Sequence, residues 1–128
     1  MNISQIAEKT GLPPKTIRYY EDIGLITPDR AANGYRVFTD NHVHKLAFLG
    51  HARALGFSIE DCRTLLALYE DDTRASADVK SIARAHLSQI NEKITQLQSM
   101  ANTLSHLIDC CAGDTRPDCP ILDDLART

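Results

Sequence analysis

The chain has 128 residues, of which 43% are hydrophobic, 24% charged and 5% aromatic, with a net charge of −3. That length suits one domain, or one domain with an appendage, and a modest core. No apolar run approaches the ~20 residues needed to cross a bilayer, and MNISQIAEK is not a secretory signal, so a cytoplasmic protein with no membrane partner is expected. The charge is unevenly divided, +2 over residues 1–57 and −5 over 58–128. The basic half is therefore where a nucleic-acid surface is to be sought.

A first helix is expected through Lys9, capped by Ser4, with Ile3, Ile6 and Ala7 turned inward and Gly11 suited to the left-handed turn that ends it. Pro13-Pro14 opens a second helix, PPKTIRYYEDIGL, because a proline in the first turn loses no useful N–H. Two short helices around a Gly-containing turn read as a helix-turn-helix. With Ile17 and Ile23 inward, Lys15, Thr16, Arg18 and Tyr19 lie on the exposed side. Lysine and arginine there neutralise phosphates, and arginine also reads a base edge. In ITPDRAANGYRVFTD, Ile26 and Val37-Phe38 are expected to pair around an Asn33-Gly34 turn. That hairpin is a wing, and Tyr35 and Arg36, just past its tip, are placed to grip a flanking phosphate.

Asp40 is expected to cap a third helix with Val43, Leu46, Ala47, Leu49 and Ala54 as its apolar residues, ended by Gly56. Arg53 near its end is a further DNA candidate. Ser58, with Asp61 three residues on, caps a fourth helix carrying Ile59, Cys62, Leu65, Leu66 and Tyr69. Cys62 shares that face and reads as a core cysteine. Histidines 42, 44, 51, 86 and 106 show no convincing metal spacing and are expected at the surface.

From Ser76 to Ile108 the chain has no Pro or Gly. Leu87, Ile90, Ile94, Leu97, Ala101, Leu104 and Ile108 alternate steps of three and four, a heptad seam. Ser76 with Asp78 suits the N-terminal cap. A helix roughly 50 Å long is too long to pack fully on a small head, so a homodimer is expected, the alternative being a helix folded back on its own chain. The tail DCCAGDTRPDCPILDDLA follows. Cys111 and Cys119 bracket a seven-residue loop with Gly113 and Pro117 as turn formers, and Pro120 starts a short helix, placing Cys119 where the helix dipole favours thiolate. Two soft thiolates suit Cu(I), and equally Ag(I) or Au(I). Zinc wants four ligands, and the loop offers Cys110, Cys111, Cys119 and at best Asp114 or Asp118. Unliganded thiols or a redox-active disulfide remain the alternatives. No nucleophile spacing or phosphate cradle is present, so no enzyme is expected.

The expected fold is mainly α: a winged helix-turn-helix head over 1–70, a dimerisation helix over 76–109, and a metal-binding loop with a short helix over 110–128. In this order the chain resembles the MerR family of transcriptional regulators. The resemblance rests on Lys15, Ile17, Arg18, Tyr19, Tyr20, Glu21, Gly24 and Leu25, and on Asn33-Gly34-Tyr35-Arg36. Within the family it is most similar to copper-efflux regulators of the CueR type, through Met1-Asn2-Ile3-Ser4, the segment Ser76 to Lys80, and Cys111 to Ile121. The resemblance implies a dimer joined by an antiparallel coiled coil, bound at promoter DNA with RNA polymerase and activating by deforming that DNA. It implies DNA contacts from Lys15, Arg18, Tyr19, Tyr35, Arg36 and Arg53, and a metal held by Cys111 and Cys119. It also gives Ser76 a selectivity role: zinc and mercury sensors carry a cysteine there, supplied by the partner subunit, and a serine favours a +1 ion. Cys110 departs from the pattern, because a Cys-Cys pair here also resembles zinc-responsive members.

Overall fold

In the computed structural model, which describes residues 1–128, Asn2 rather than Ser4 caps the first helix, α1 (Ile3–Thr10). Its Oδ1 accepts the Gln5 N–H at 2.9 Å while Gln5 Oε1 accepts the Asn2 N–H at 2.8 Å, so two otherwise orphaned donors are satisfied reciprocally. Gly11, at φ 73°, closes α1 with an N–H to the Ala7 carbonyl, a conformation that costs an L side chain and not glycine. Pro14 then occupies the first turn of α2 (Pro14–Asp22).

The wing's first strand forms three residues beyond Ile26, and its second begins one residue before Val37. β1 (Asp29–Arg30) pairs antiparallel with β2 (Arg36–Val37), Asp29 opposite Val37 and Arg30 opposite Arg36. Ile26 and Phe38, expected in the strands, are each 2% exposed and belong to the core instead. The stronger demand on an apolar side chain is burial, which leaves the ladder to Asp29, Arg30, Arg36 and the half-buried Val37. The turn closes through the Ala31 N–H to Tyr35 O and the Gly34 N–H to Ala31 O.

α3 (Asp40–Ala54) is capped by Thr39, with Asp40 as its first helical residue. α4 (Ile59–Glu70) is capped as expected by Ser58, whose Oγ accepts the Asp61 N–H at 3.1 Å. One core joins α1 to α4: Ile6, Ile17, Leu46, Leu49 and Cys62 are fully buried, with Tyr20, Leu25, Ile26, Phe38 and Leu66 around them. Ala54 and Tyr69, expected inward, are exposed; Tyr69 packs its ring on Phe48 at 5.1 Å.

His42 is the clearest correction, since it is buried rather than at the surface. Its Nδ1 lies 2.9 Å from the Thr39 N–H and its Nε2 2.9 Å from the Thr27 carbonyl. Both bonds are made at once by one neutral tautomer, Nδ1 accepting and Nε2–H donating. The ring thus caps α3, ties the wing's leading loop to it, and meets Phe38 edge-on at 5.7 Å.

The chain divides into two compact units, Met1–Ile82 and Ala83–Thr128. The helix α5 (Ser76–Cys110) begins in the first and fills most of the second, which ends in α6 (Pro120–Ala126). Ser76 is the first helical residue of α5 and Asp78 lies in its first turn. None of the 35 residues of α5 is buried. No helix is long and apolar enough to cross a membrane.

Replacing His42 by alanine removes a cap and leaves the Thr27 carbonyl unpaired. It is expected to lower unfolding stability by about 2 kcal/mol, read as a lower denaturant midpoint at unchanged m-value. An unchanged midpoint would show that water substitutes for the ring at both ends.

Candidate nucleic-acid interface and metal-binding loop

With Ile17 and Tyr20 buried, α2 is fixed against the core and presents its other side outward. Lys15 and Arg18 are exposed there, Tyr19 is 47% exposed and Thr16 is half-buried. Across the wing turn Tyr35 is 74% exposed. These residues form a cationic and hydroxyl-bearing surface on the second helix and the wing, which is the arrangement a duplex requires.

Arg36 is placed differently from a free phosphate-binding arginine. Its Nε donates to both carboxylate oxygens of Glu21, at 3.0 and 2.9 Å, and this bond holds its guanidinium in the charged form. Arg30 reaches the same carboxylate at 3.4 Å and donates to the Gly34 carbonyl at 3.1 Å. Glu21, on α2, therefore ties both strands of the wing to the recognition helix. Sequence reasoning gave it no such role; the pairing spans 15 residues, and no local pattern signals it. Arg53 donates to the Phe57 carbonyl at 2.6 Å, bracing the turn between α3 and α4.

Downstream, Cys110 ends α5 and is exposed, while Cys111, half-buried, follows it with its N–H bonded to the Ile108 carbonyl at 3.1 Å. Gly113 turns the chain at φ 66°. Asp114 accepts the Arg116 N–H at 2.9 Å and Arg116 Nε at 2.7 Å on its two oxygens, so both are engaged within the loop. Cys119, half-buried, is the N-cap residue of α6, with no side-chain cap bond. The loop between the two thiols is thus bounded by one helix end and one helix start, and all four cysteines are free. No group of three or more His, Cys, Asp or Glu side chains converges on a common point. The two expected donors, Cys111 and Cys119, suit a soft ion of low coordination number, and no four-ligand cluster of the zinc kind is present. Cys62 is separate: burial pushes its thiol up, against the opposing pull of Arg53.

Comparison with known proteins agrees with this geometry. Residues 1–68 match the family described as MerR HTH family regulatory protein, and residues 43–107 the one described as MerR, DNA binding. The chain belongs to the MerR family. Among MerR-family relatives, it is 58% identical over 126 residues to the HTH-type transcriptional regulator HmrR of Rhizobium leguminosarum bv. viciae, covering 98% of each chain. It is 46% identical over 127 residues to the HTH-type transcriptional regulator CueR of Salmonella typhimurium, covering 98% of this chain and 92% of that one. Among MerR-family structures, the transcription regulator PbrR691 from Ralstonia metallidurans CH34 in complex with lead(II) superposes with a TM-score of 0.87 at 28% identity, covering 98% and 99% of the two chains. As a MerR-family protein the chain is a transcriptional regulator and not an enzyme.

Two tests follow for this MerR-family chain. Alkylation of the folded protein near pH 8 is expected to label Cys110, Cys111 and Cys119 while sparing Cys62, whose raised pKa and burial leave little accessible thiolate; mass spectrometry after unfolding should count one further thiol. Glu21→Gln removes a negative charge from the DNA-facing side, which electrostatics alone would turn into tighter binding. If wing orientation dominates, affinity for duplex DNA falls on the order of fivefold or more, as in other lost charged pairs. A rise in affinity would reduce Glu21 to a bystander.

Proposed function

We propose that this MerR-family regulator is a metal-responsive activator whose inducer is Cu(I), with Ag(I) and Au(I) recognised by the same chemistry. Cys111 and Cys119 hold the ion. It works in the cytoplasm as a homodimer joined through α5 in an antiparallel coiled coil, on double-stranded promoter DNA with RNA polymerase, and turns on copper-efflux genes.

The observation that carries the reading is the donor set. Cys111 and Cys119 flank the loop, no three metal-ligating side chains cluster in the chain, and both Asp114 oxygens are taken by Arg116. When bound, a monovalent d10 ion supplies a two-sulfur bridge without demanding further ligands. Ser76 stands where the resemblance places the partner subunit's cysteine in divalent sensors, so a third thiolate is withheld. Cys111 directly follows the last turn of α5 and Cys119 caps α6. Drawing both thiols onto one ion fixes the loop against the helix end, selecting one arrangement of the two over others.

In the head, Lys15, Arg18 and Tyr19 on α2 meet the duplex, Thr16 beside them adds a hydroxyl, and Tyr35 holds a flanking phosphate together with Arg36, which is anchored through Nε to Glu21 and offers its remaining N–H groups. Arg53 adds a cation at the α3–α4 turn. Activation is deformation: the metal-bound dimer bends and untwists a spacer too long for polymerase, and the energy of distorting the DNA is the output. The second reading is a divalent sensor on the same scaffold. The lead(II) complex of PbrR691 favours it, as a structural neighbour with a bound divalent ion.

Anaerobic titration with Cu(I) and Zn(II), with X-ray absorption of the bound metal, separates the two. The expected result is one Cu(I) per chain on two sulfurs, abolished by Cys111→Ser or Cys119→Ser and retained in Cys110→Ser. Tight zinc on three or four ligands that include Cys111 would overturn the monovalent reading.

A further inference from the structure

The metal-responsive reading leaves Cys110 and His106 without a role, yet their side chains, both of metal-ligating type, are in contact. Cys110 Sγ lies 3.8 Å from His106 Nε2, both residues are exposed, and they are four positions apart on α5. A helix holds side chains at that spacing on one face, one turn apart, so the pair is preorganised by the backbone. We infer that His106 and Cys110 form a second metal site, for a divalent borderline cation of the zinc type, distinct from the Cys111–Cys119 pair.

The separation, that of a thiol–imidazole hydrogen-bond contact without metal, also suits one class of ion. With Zn–S near 2.3 Å and Zn–N near 2.05 Å, sulfur and nitrogen stand about 3.6 Å apart at a tetrahedral angle and about 3.8 Å apart at 120°, against about 4.3 Å for a linear link. The observed distance therefore accommodates a tetrahedral or trigonal centre without moving either side chain far. One thiol and one imidazole also match the mixed N/S ligation of borderline ions better than that of Cu(I). The remaining positions stay with water.

The site faces away from the apolar seam. His106 and Cys110 each follow a seam residue, Leu104 and Ile108, by two positions, which on a helix is about 160° around the axis. Covering the seam with a second chain leaves the pair open to solvent. An ion there cross-links successive turns at the C-terminal end of α5, stiffening the turn from which Cys111 emerges.

The test uses cobalt(II) as a spectroscopic stand-in for zinc on the full chain carrying Cys111→Ser and Cys119→Ser, which removes the other thiol pair. The expected result is a thiolate-to-cobalt charge-transfer band that disappears when Cys110→Ser is added and whose affinity falls at least tenfold with His106→Gln. Zinc should displace the cobalt, and circular dichroism should show helix content unchanged in every variant. Absence of the band, or a band whose affinity His106→Gln leaves unmoved, overturns the proposal. Because the Cys111–Cys119 pair is absent from this protein, failure of the Cu(I) reading leaves the outcome unaffected; conversely, His106→Gln alone should leave Cu(I) binding intact.

Discussion

The structure depends on an apolar stripe that its own chain leaves uncovered. On α5, Leu87, Ile94, Leu97, Leu104 and Ile108 are each 53–60% exposed and no residue is buried. The head places no comparable demand, because Ile6, Ile17, Leu46, Leu49 and Cys62 close a core within α1 to α4. A long helix draws most of its stability from packing an apolar face, and exposed apolar stripes of this kind mark association surfaces. A second copy supplies an identical seam, and the 3–4 repeat is what lets two such helices interlock. The cysteine loop begins where α5 ends, so whatever fixes α5 also fixes the frame in which Cys111 and Cys119 act.

The head is organised to respond as a unit. Glu21 binds Arg36 and Arg30, linking the wing to the recognition helix, while His42 links the loop before the wing to α3. Neither contact reads a base. Both fix the placement of the wing and its leading loop against α2 and α3. Such rigidity suits the proposed activation by DNA deformation, since a compliant wing would absorb the distortion. On the proposed reading, the allosteric problem is then confined to how a dimer sets two such heads through α5.

Much of this was legible in the residues, for identifiable reasons. The α5 seam and the burial of Cys62 follow from helical periodicity, and the Ser58 cap from a local hydroxyl before an acidic turn. Asn2 was passed over for Ser4 although Asn2 and Gln5 form the reciprocal cap, a signature that is itself local. The wing was misregistered because Ile26 and Phe38 carry strand-like side chains that the core claims instead. His42 was read as exposed because capping by histidine lacks the usual Glu/Gln signal, and because its second partner, Thr27, lies 15 residues away. Glu21 was missed for the same reason: its partners are brought to it by the fold. The placement of Cys111 and Cys119 at a helix end and a helix start was legible from local sequence, whereas the engagement of Asp114 by Arg116 emerged only with the loop's conformation.

The most direct test of the account is the solution mass of the chain at sub-micromolar to micromolar concentration by sedimentation equilibrium. The single chain is 14.2 kDa. A uniform particle of about twice that mass, as two closed protomers require, is the predicted result. A monomer with its helix content intact would mean that α5 tolerates its exposed seam, and the account of how the metal loop is framed and coupled to DNA would fail.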